Sequence, residues 1–231
     1  MEPILPYTRY QTRKPTKVPE SFTWKALSDF VMKTCKDRDP THGYEHMKIV
    51  AEISLSIYAK LGAKPELLIP IMIVAWLHYV ADHKYDFDGK LKKQVDDFVM
   101  RLVGKDETKL VMLTIDCISF SKENKAIKEG KPIIFLELLG PKYAIIRDIV
   151  SDADKTQAIG KDGIIRCAEY ASHEYFEKHK KVIPEKLLHD NIHKHAQEKL
   201  LRLKDEFFRT APGKKMAESL HDDMIKFIEY I

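Results

Sequence analysis

Glycine is scarce in this chain of 231 residues, with nine in all, and few stretches alternate Val or Thr with polar residues. Sheets and tight turns are built largely from such residues, so their scarcity disfavours a β-sheet protein. Leu, Lys, Glu and Ala are frequent instead, and all of these occur readily in helices. The composition therefore favours a helical protein.

Cysteine and long apolar runs are also lacking. The three cysteines, Cys35, Cys117 and Cys167, have no CxxC spacing, so they predict neither a disulfide framework nor a thiolate zinc site. The first residues show no basic segment followed by an apolar run, and the apolar stretch Leu67–Val80 is too short to span a membrane. We therefore expect a soluble, cytoplasmic protein without a membrane partner.

Charge is nearly balanced, with a net value of +4, which is too small to indicate nucleic-acid binding by itself. Only residues 1–19 stand out, because they hold four prolines and the basic run Arg9–Lys17. Such a segment favours an extended arm, either a solvated tail or a strap across the surface, over a nucleic-acid arm. We expect residues 20–231 to form one folded domain.

Apolar residues recur at helical spacing through the rest of the chain. This pattern predicts an all-α domain of roughly nine helices, with a charged loop over residues 121–140. Thr41 is a candidate N-cap for the second helix, and Gly62 is a candidate C-terminal stop. The expected helices lie at about 21–36, 41–62, 65–77, 90–103, 107–120, 143–154, 164–176, 184–209 and 212–231.

Three places, far apart in sequence, put metal-capable side chains at the polar edge of an apolar helix. His42 and His46 are four residues apart and share one helical face. The second place is His78, which directly follows the apolar run Leu67–Leu77. The third place is the Asp152-Ala153-Asp154 segment. Imidazoles and carboxylates of this kind can hold a divalent ion with open positions for water and a phosphate ester.

Each of these features has a simpler interpretation when it is taken alone. A single histidine near an apolar helix is more often a hydrogen-bonded core or surface residue than a ligand. Asp152 and Asp154 are equally consistent with solvated acids at a helix end. The three places together, in this order, favour the metal site.

The same segments resemble the motifs of the HD-domain metal-dependent phosphohydrolases, in the branch of bacterial and fungal pyrophosphohydrolase-like proteins. The three motif segments are Asp39-Pro40-Thr41-His42-Gly43-Tyr44-Glu45-His46, Leu77-His78-Tyr79-Val80-Ala81-Asp82-His83-Lys84 and Asp152-Ala153-Asp154-Lys155. Shorter matches are Ile118-Ser119-Phe120-Ser121-Lys122, Ala158-Ile159-Gly160 and Glu198-Lys199-Leu200-Leu201. The resemblance covers about residues 24 to 230 and implies an HD-like helical bundle.

By position, the resemblance implies that His46, His78 and Asp154 hold a divalent transition metal such as Mn, Ni, Fe or Zn. It further implies that four residues act on the phosphate or orient it, namely Lys84, Lys155, His42 and Asp82. Two literal His-Asp pairs, His189-Asp190 and His221-Asp222, lie too far along the chain to be the family's ligands.

The sequence departs from the family at the aspartate of the His-Asp pair, where this chain has Tyr79. A phenol with a pKa of about 10 is a poor ligand for a divalent ion at neutral pH. Two outcomes stay open: a three-ligand metal site, or a pocket that has lost the metal. Gly43 likewise replaces an aspartate of the opening motif.

The resemblance implies metal-dependent hydrolysis of a phosphoester or phosphoanhydride in a small, nucleotide-type substrate. The alternative is a catalytically degenerate HD domain, without metal, that serves as a nucleotide-binding or protein-interaction module. A nucleic-acid partner is disfavoured, because no basic helix face with stacking aromatics is evident.

Overall fold

The computed structural model describes residues 20–38 and 42–229, and every regular element within these ranges is helical. The all-α prediction is therefore confirmed. A π-helical turn at Ala196–Leu200 joins Glu185–His195 (α9) to Leu201–Glu206 (α10). With these two counted together, the described ranges hold ten helices. The bounds are α1 Glu20–Thr34, α2 Tyr44–Leu61, α3 Leu68–Leu77, α4 Lys90–Val103, α5 Lys105–Asp116, α6 Phe120–Lys128, α7 Phe135–Thr156, α8 Gly160–His179, α9 Glu185–His195, α10 Leu201–Glu206 and α11 Ala211–Ile228.

Helix α3 lies at the centre of the bundle. Its sequence, LIPIMIVAWL, is apolar on all sides, and such a helix is stable only when it is surrounded by other elements. All of its residues except Ile69 are buried, and it packs against α1, α2, α5 and α7. Polar groups at its C-terminal end therefore emerge inside the protein.

The buried apolar side chains form two clusters. The first is built mainly from α1 to α5 and the second half of α7. The second, smaller cluster is built from α8 to α11. Helix α7 belongs to the first cluster and also packs against α11, so it joins the two parts of the bundle.

The predicted loop at 121–140 is largely wrong, because α6 and the first turns of α7 occupy most of it. The inward-facing position of α6 holds Glu123, which is 2% exposed, so the segment carries no clear apolar stripe. Gly140, with φ 68°, kinks α7 just before Pro141, and this break obscured the helical pattern.

Helix ends agree in part with the sequence predictions. Gly62 ends α2 in the left-handed conformation with φ 58°, as expected for a C-terminal glycine. The predicted cap Thr41 and the predicted arm at residues 1–19 lie outside the described residues, and the domain division stays a prediction. None of the described helices is long and apolar enough to cross a membrane.

Candidate metal centre

Three side chains from three helices converge at the inner end of α3. His46 comes from the first turn of α2, His78 directly follows α3, and Asp154 lies in the last turn of α7. Their donor atoms all lie within 4.8 Å of one another. Asp154 Oδ1 is 3.3 Å from His46 Nε2 and 3.6 Å from His78 Nε2. The structure therefore brings together the three residues predicted as metal ligands.

Three of the four imidazole nitrogens of His46 and His78 make no hydrogen bond within the described part of the chain. His78 Nδ1 lies 2.7 Å from the carbonyl oxygen of Ala75, which can only accept, so Nδ1 donates and Nε2 faces the cluster. His78 Nε2 and both nitrogens of His46 are buried and have no hydrogen-bond partner within the described part of the chain. Buried polar atoms nearly always have a partner, so an ion between the three donors fits this arrangement.

The electrostatics of the cluster also favour a cation. Burial lowers the pKa of His46 to about 4, although the Asp154 carboxylate opposes that shift. Burial would raise the pKa of Asp154, but the imidazoles of His46 and His78 outweigh it and hold that pKa well below its usual range. At neutral pH the site thus offers an uncharged His46 imidazole and a carboxylate. Two imidazoles with one carboxylate suit Zn²⁺, Fe²⁺ or Mn²⁺ and leave positions open.

Tyr79 occupies the position next to this cluster. Its ring centroid lies 5.0 Å from that of His78 and 5.6 Å from that of His46. Burial first, and then the nearby carboxylates of Asp154 and Asp82, raise the pKa of the Tyr79 phenol above its ordinary value. Tyr79 therefore remains neutral and adds no negative charge to the donor set.

Arg38 fixes the turn that carries Tyr79. Its guanidinium donates to the carbonyl oxygens of Tyr79, at 2.7 Å, and of Val80. The same guanidinium lies 4.1 Å from the ring centroid of Tyr85. Since the carbonyl groups of the consecutive residues Tyr79 and Val80 are both held, the ring of Tyr79 has a defined position against the imidazoles.

A cavity of about 470 Å³ opens from the cluster toward α5 and α6. Its inner wall includes His78 and Asp154, and its outer wall includes Ser119 and Phe120. A volume of this order accommodates a small organic ligand. The cavity is therefore a candidate substrate site beside the metal donors.

Of the four residues predicted to act on phosphate, three lie around the cluster. Asp82 lines the cavity and accepts a 3.0 Å hydrogen bond from the backbone N–H of Lys84. The ammonium of Lys84 lies 5.1 Å from the ring centroid of Tyr170. His42 packs beside Tyr79, with ring centroids 5.2 Å apart. Their catalytic roles stay predictions.

The fourth, Lys155, lies in a different environment. Its ammonium donates to Ser151 Oγ and is 3.8 Å from Glu123 Oε2, within a buried ion network that includes Arg147. Burial lowers the pKa of Lys155 to about 8. The structure therefore places Lys155 in the packing between α6 and α7 rather than in the cavity wall.

Asp152, from the third of the metal-capable segments, is also engaged elsewhere. Its carboxylate accepts hydrogen bonds from the backbone N–H groups of Arg209 and Thr210, at 2.9 and 2.7 Å, and from the Thr210 hydroxyl. It anchors the start of α11. In the part of the chain that the structure describes, neither His189 nor His221 belongs to a group of metal-capable donors.

Two cations near the cluster were not identified as site residues from the sequence. Lys199, from the π-helical turn, lines the cavity together with Asp154. Arg166 of α8 is close enough to lower the pKa values of His46 and Lys199 by charge repulsion. A usable signal existed for Lys199, because it shares the apolar stripe Ile192, Ala196 and Leu203 at helical spacing.

No family model matches the sequence, and no curated protein matches it either. Solved structures do match along nearly the whole chain. An HD-superfamily hydrolase from Bacillus thuringiensis has a TM-score of 0.61 and 25% identity, over 91% of this chain and 95% of the other. Bacillus subtilis YpgQ, solved in complex with ADP, has a TM-score of 0.63 and 22% identity, over 92% and 95%. A Lactobacillus plantarum protein has a TM-score of 0.67 and 20% identity, over 90% and 94%. The chain therefore has the fold of the HD-domain superfamily.

Proposed function

We propose that this protein is a metal-dependent phosphohydrolase that cleaves a phosphoester or phosphoanhydride bond in a nucleotide-type substrate. The observation that carries the proposal is the convergence of His46, His78 and Asp154, with buried imidazole nitrogens that make no hydrogen bond among the described residues. The fold shared with an HD-superfamily hydrolase supports the reaction class. The ADP complex of YpgQ supports the substrate class.

In this mechanism, His46, His78 and Asp154 hold a divalent ion. Such an ion supplies electrostatic polarisation of a phosphoryl oxygen and of a water molecule. The protein's contribution is a fixed set of donors, because the Ala75 carbonyl locks the tautomer and the ring orientation of His78.

Cationic side chains around the cavity would compensate the charge of the phosphate. Lys84, Arg166 and Lys199 are near enough to one another for repulsion from the first two to lower the pKa of Lys199. Asp82 and Asp154 also line the cavity, and these three cations beside them would compensate the negative charge of a bound phosphate. Asp82 holds the backbone of Lys84 by its 3.0 Å hydrogen bond and thereby positions that cation.

The degenerate binding module remains the second candidate, and Tyr79 is the observation that favours it. A site with one carboxylate binds a divalent ion less strongly than a site with two. If the ion is lost, the same cations and cavity would still bind a nucleotide. This candidate predicts ligand binding without metal and without turnover.

Elemental analysis and phosphate release together test the proposal. The purified protein, incubated with Mn²⁺ and then freed of excess ion, is expected to retain about one equivalent and to release phosphate or pyrophosphate from nucleoside di- or triphosphates. His46→Ala should lose both properties, while His189→Ala, a matched histidine on α9, should keep both. Wild-type protein without metal after incubation contradicts the hydrolase and favours the binding module.

A further inference from the structure

Lys199 carries a partly buried ammonium group. It projects from the π-helical turn Ala196–Leu200, beside Ala196 and Leu200, which are buried in the second cluster. Its Nζ lies 4.9 Å from the ring centroid of Phe120, on the wall of the cavity. Among the described residues it makes no hydrogen bond and no ion pair.

Such an arrangement is costly for the folded chain. Moving an ammonium out of water without a paired anion is unfavourable, and burial accordingly lowers the pKa of Lys199. Attraction from Asp154 raises the pKa of Lys199, but repulsion from Arg166 and Lys84 lowers it further. Packing alone gives no reason for a cation here, since an apolar side chain would fill the same stripe at lower cost.

The backbone at this point is unusual as well. A π-helical turn replaces the ordinary hydrogen-bond pattern between α9 and α10 over five residues. Turns of this kind are rare and occur frequently at functional sites. The turn holds Lys199 against the cavity while Leu203 and Phe207, further along, remain fully buried. Geometry and charge thus point to the same role.

We propose that Lys199 is a substrate-binding residue that contacts phosphate oxygens of the ligand in this cavity. An anion with two or more charges, such as a nucleoside diphosphate or pyrophosphate, supplies a counter-charge for Lys199, which forms no ion pair among the described residues. The inference rests on the proposed function for the class of ligand, but it requires binding only, not hydrolysis. It adds a cation from α9–α10 to a site otherwise built from α2, α3 and α7.

The test compares Lys199→Met with Lys194→Met, which removes an exposed lysine from the last turn of α9. Binding of inorganic pyrophosphate and of ADP is measured by calorimetry on the metal-free and the Mn²⁺-incubated protein, and unfolding temperature is measured alongside. We expect Lys199→Met to bind both probes at least about tenfold more weakly, because a charge-assisted contact is lost. Lys194→Met should bind them like the wild type.

The unfolding temperature separates binding from a structural role. Without ligand, Lys199→Met should unfold at the same or a higher temperature than the wild type, because it removes a partly buried cation that forms no ion pair among the described residues. A lower unfolding temperature, or failure to fold, would show that Lys199 has a structural partner and would overturn the proposal. Unchanged affinity, or no binding to the wild type, would overturn it equally. Metal content, measured on the same samples, reports separately on the proposed function.

Discussion

Tyr79 brings a neutral phenol into contact with the two imidazoles of the candidate metal centre, at the position where the resemblance to HD phosphohydrolases implies an aspartate. Exchanging it for a carboxylate adds a negative charge beside donors that are already in position. We expect Tyr79→Asp to bind Mn²⁺ about ten- to a hundredfold more tightly than the wild type, as measured by calorimetry. Tyr79→Phe, which removes only the hydroxyl, should change the affinity little. Equal affinities for all three proteins would exclude Tyr79 from the site.

His46 should make the metal-free protein sensitive to acid. Its pKa in the folded state is about 4, below the ordinary value of 6.5, so the unfolded chain takes up a proton first as the pH falls. The stabilisation is therefore complete above pH 6.5 and decreases down to pH 4. The difference between the two pKa values corresponds to about 3 kcal/mol in the free energy of unfolding.

Urea unfolding at pH 7 and at pH 4 measures this contribution. The free energy of unfolding of His46→Gln should depend less steeply on pH than that of the wild type, by about 3 kcal/mol over this range. His173→Gln, which removes an exposed histidine from α8, is the control and should follow the wild type. If His46→Gln also follows the wild type, His46 takes up its proton without cost and is not held neutral.

At the same scale, the sequence predicted that the three candidate donors lie close together, as they do, but it indicated neither the buried ion network around Lys155 nor the place of Lys199 in the cavity wall. His46, His78 and Asp154 each end or begin an apolar segment, and such segments must meet in a core. The ion network around Lys155 could not be predicted in this way, because Glu123 comes from another helix, α6. Lys199 was overlooked as a site residue because a lysine within a helix is usually solvated.

A buried ion network joins α6 to α7. Glu123 accepts from Arg147, which is fully buried, and from Arg209 at 2.7 Å, while Lys155 lies 3.8 Å away. We expect Glu123→Gln to lower the free energy of unfolding by about 3–5 kcal/mol, because it leaves the buried Lys155 without its ion pair and the buried Arg147 with Asp148 alone.

Chemical unfolding of Glu123→Gln tests this, with Glu129→Gln as the control. Glu129 makes an exposed pair with Lys125 at 3.8 Å, four residues away, and exposed pairs of this kind contribute less than about 0.5 kcal/mol. Equal stability of the two variants would mean that the network is solvated and does not hold α6 against α7.

The network also explains which helices could be predicted from sequence. Helices α1 to α5 and α11 have apolar positions at helical spacing, and the all-α class follows from them. Helix α6 turns Glu123 inward, and the stabilising partner of that residue lies 24 positions further along the chain. Hydrophobic periodicity cannot detect a face that is buried through ion pairs with distant residues.

For the molecule as a whole, a bound ion should act as a clamp, because its three ligands come from α2, the end of α3 and α7. Binding to the folded state alone stabilises by about 2.7 kcal/mol when the free ion is a hundredfold above its dissociation constant. For a chain of this size we expect Mn²⁺ to raise the unfolding temperature by about 5–10 °C. Differential scanning calorimetry measures the shift.

His46→Ala should show no such shift, and His189→Ala should show all of it. An equal shift in His46→Ala would place the ion elsewhere on the protein.

The residues of the candidate site are held in place by two different apolar clusters. The metal donors belong to helices of the first cluster, whereas Lys199 belongs to the second, smaller one. A partial opening that frees α9 to α11 would withdraw Lys199 and leave the three donors in place. Hydrogen exchange would then register the two ligands in different places: a metal ion slows exchange in α2, α3 and α7, and a phosphate ligand slows it in α9 to α11 as well. The affinity for phosphate would in this way be governed by the local stability of helices that supply none of the three metal donors.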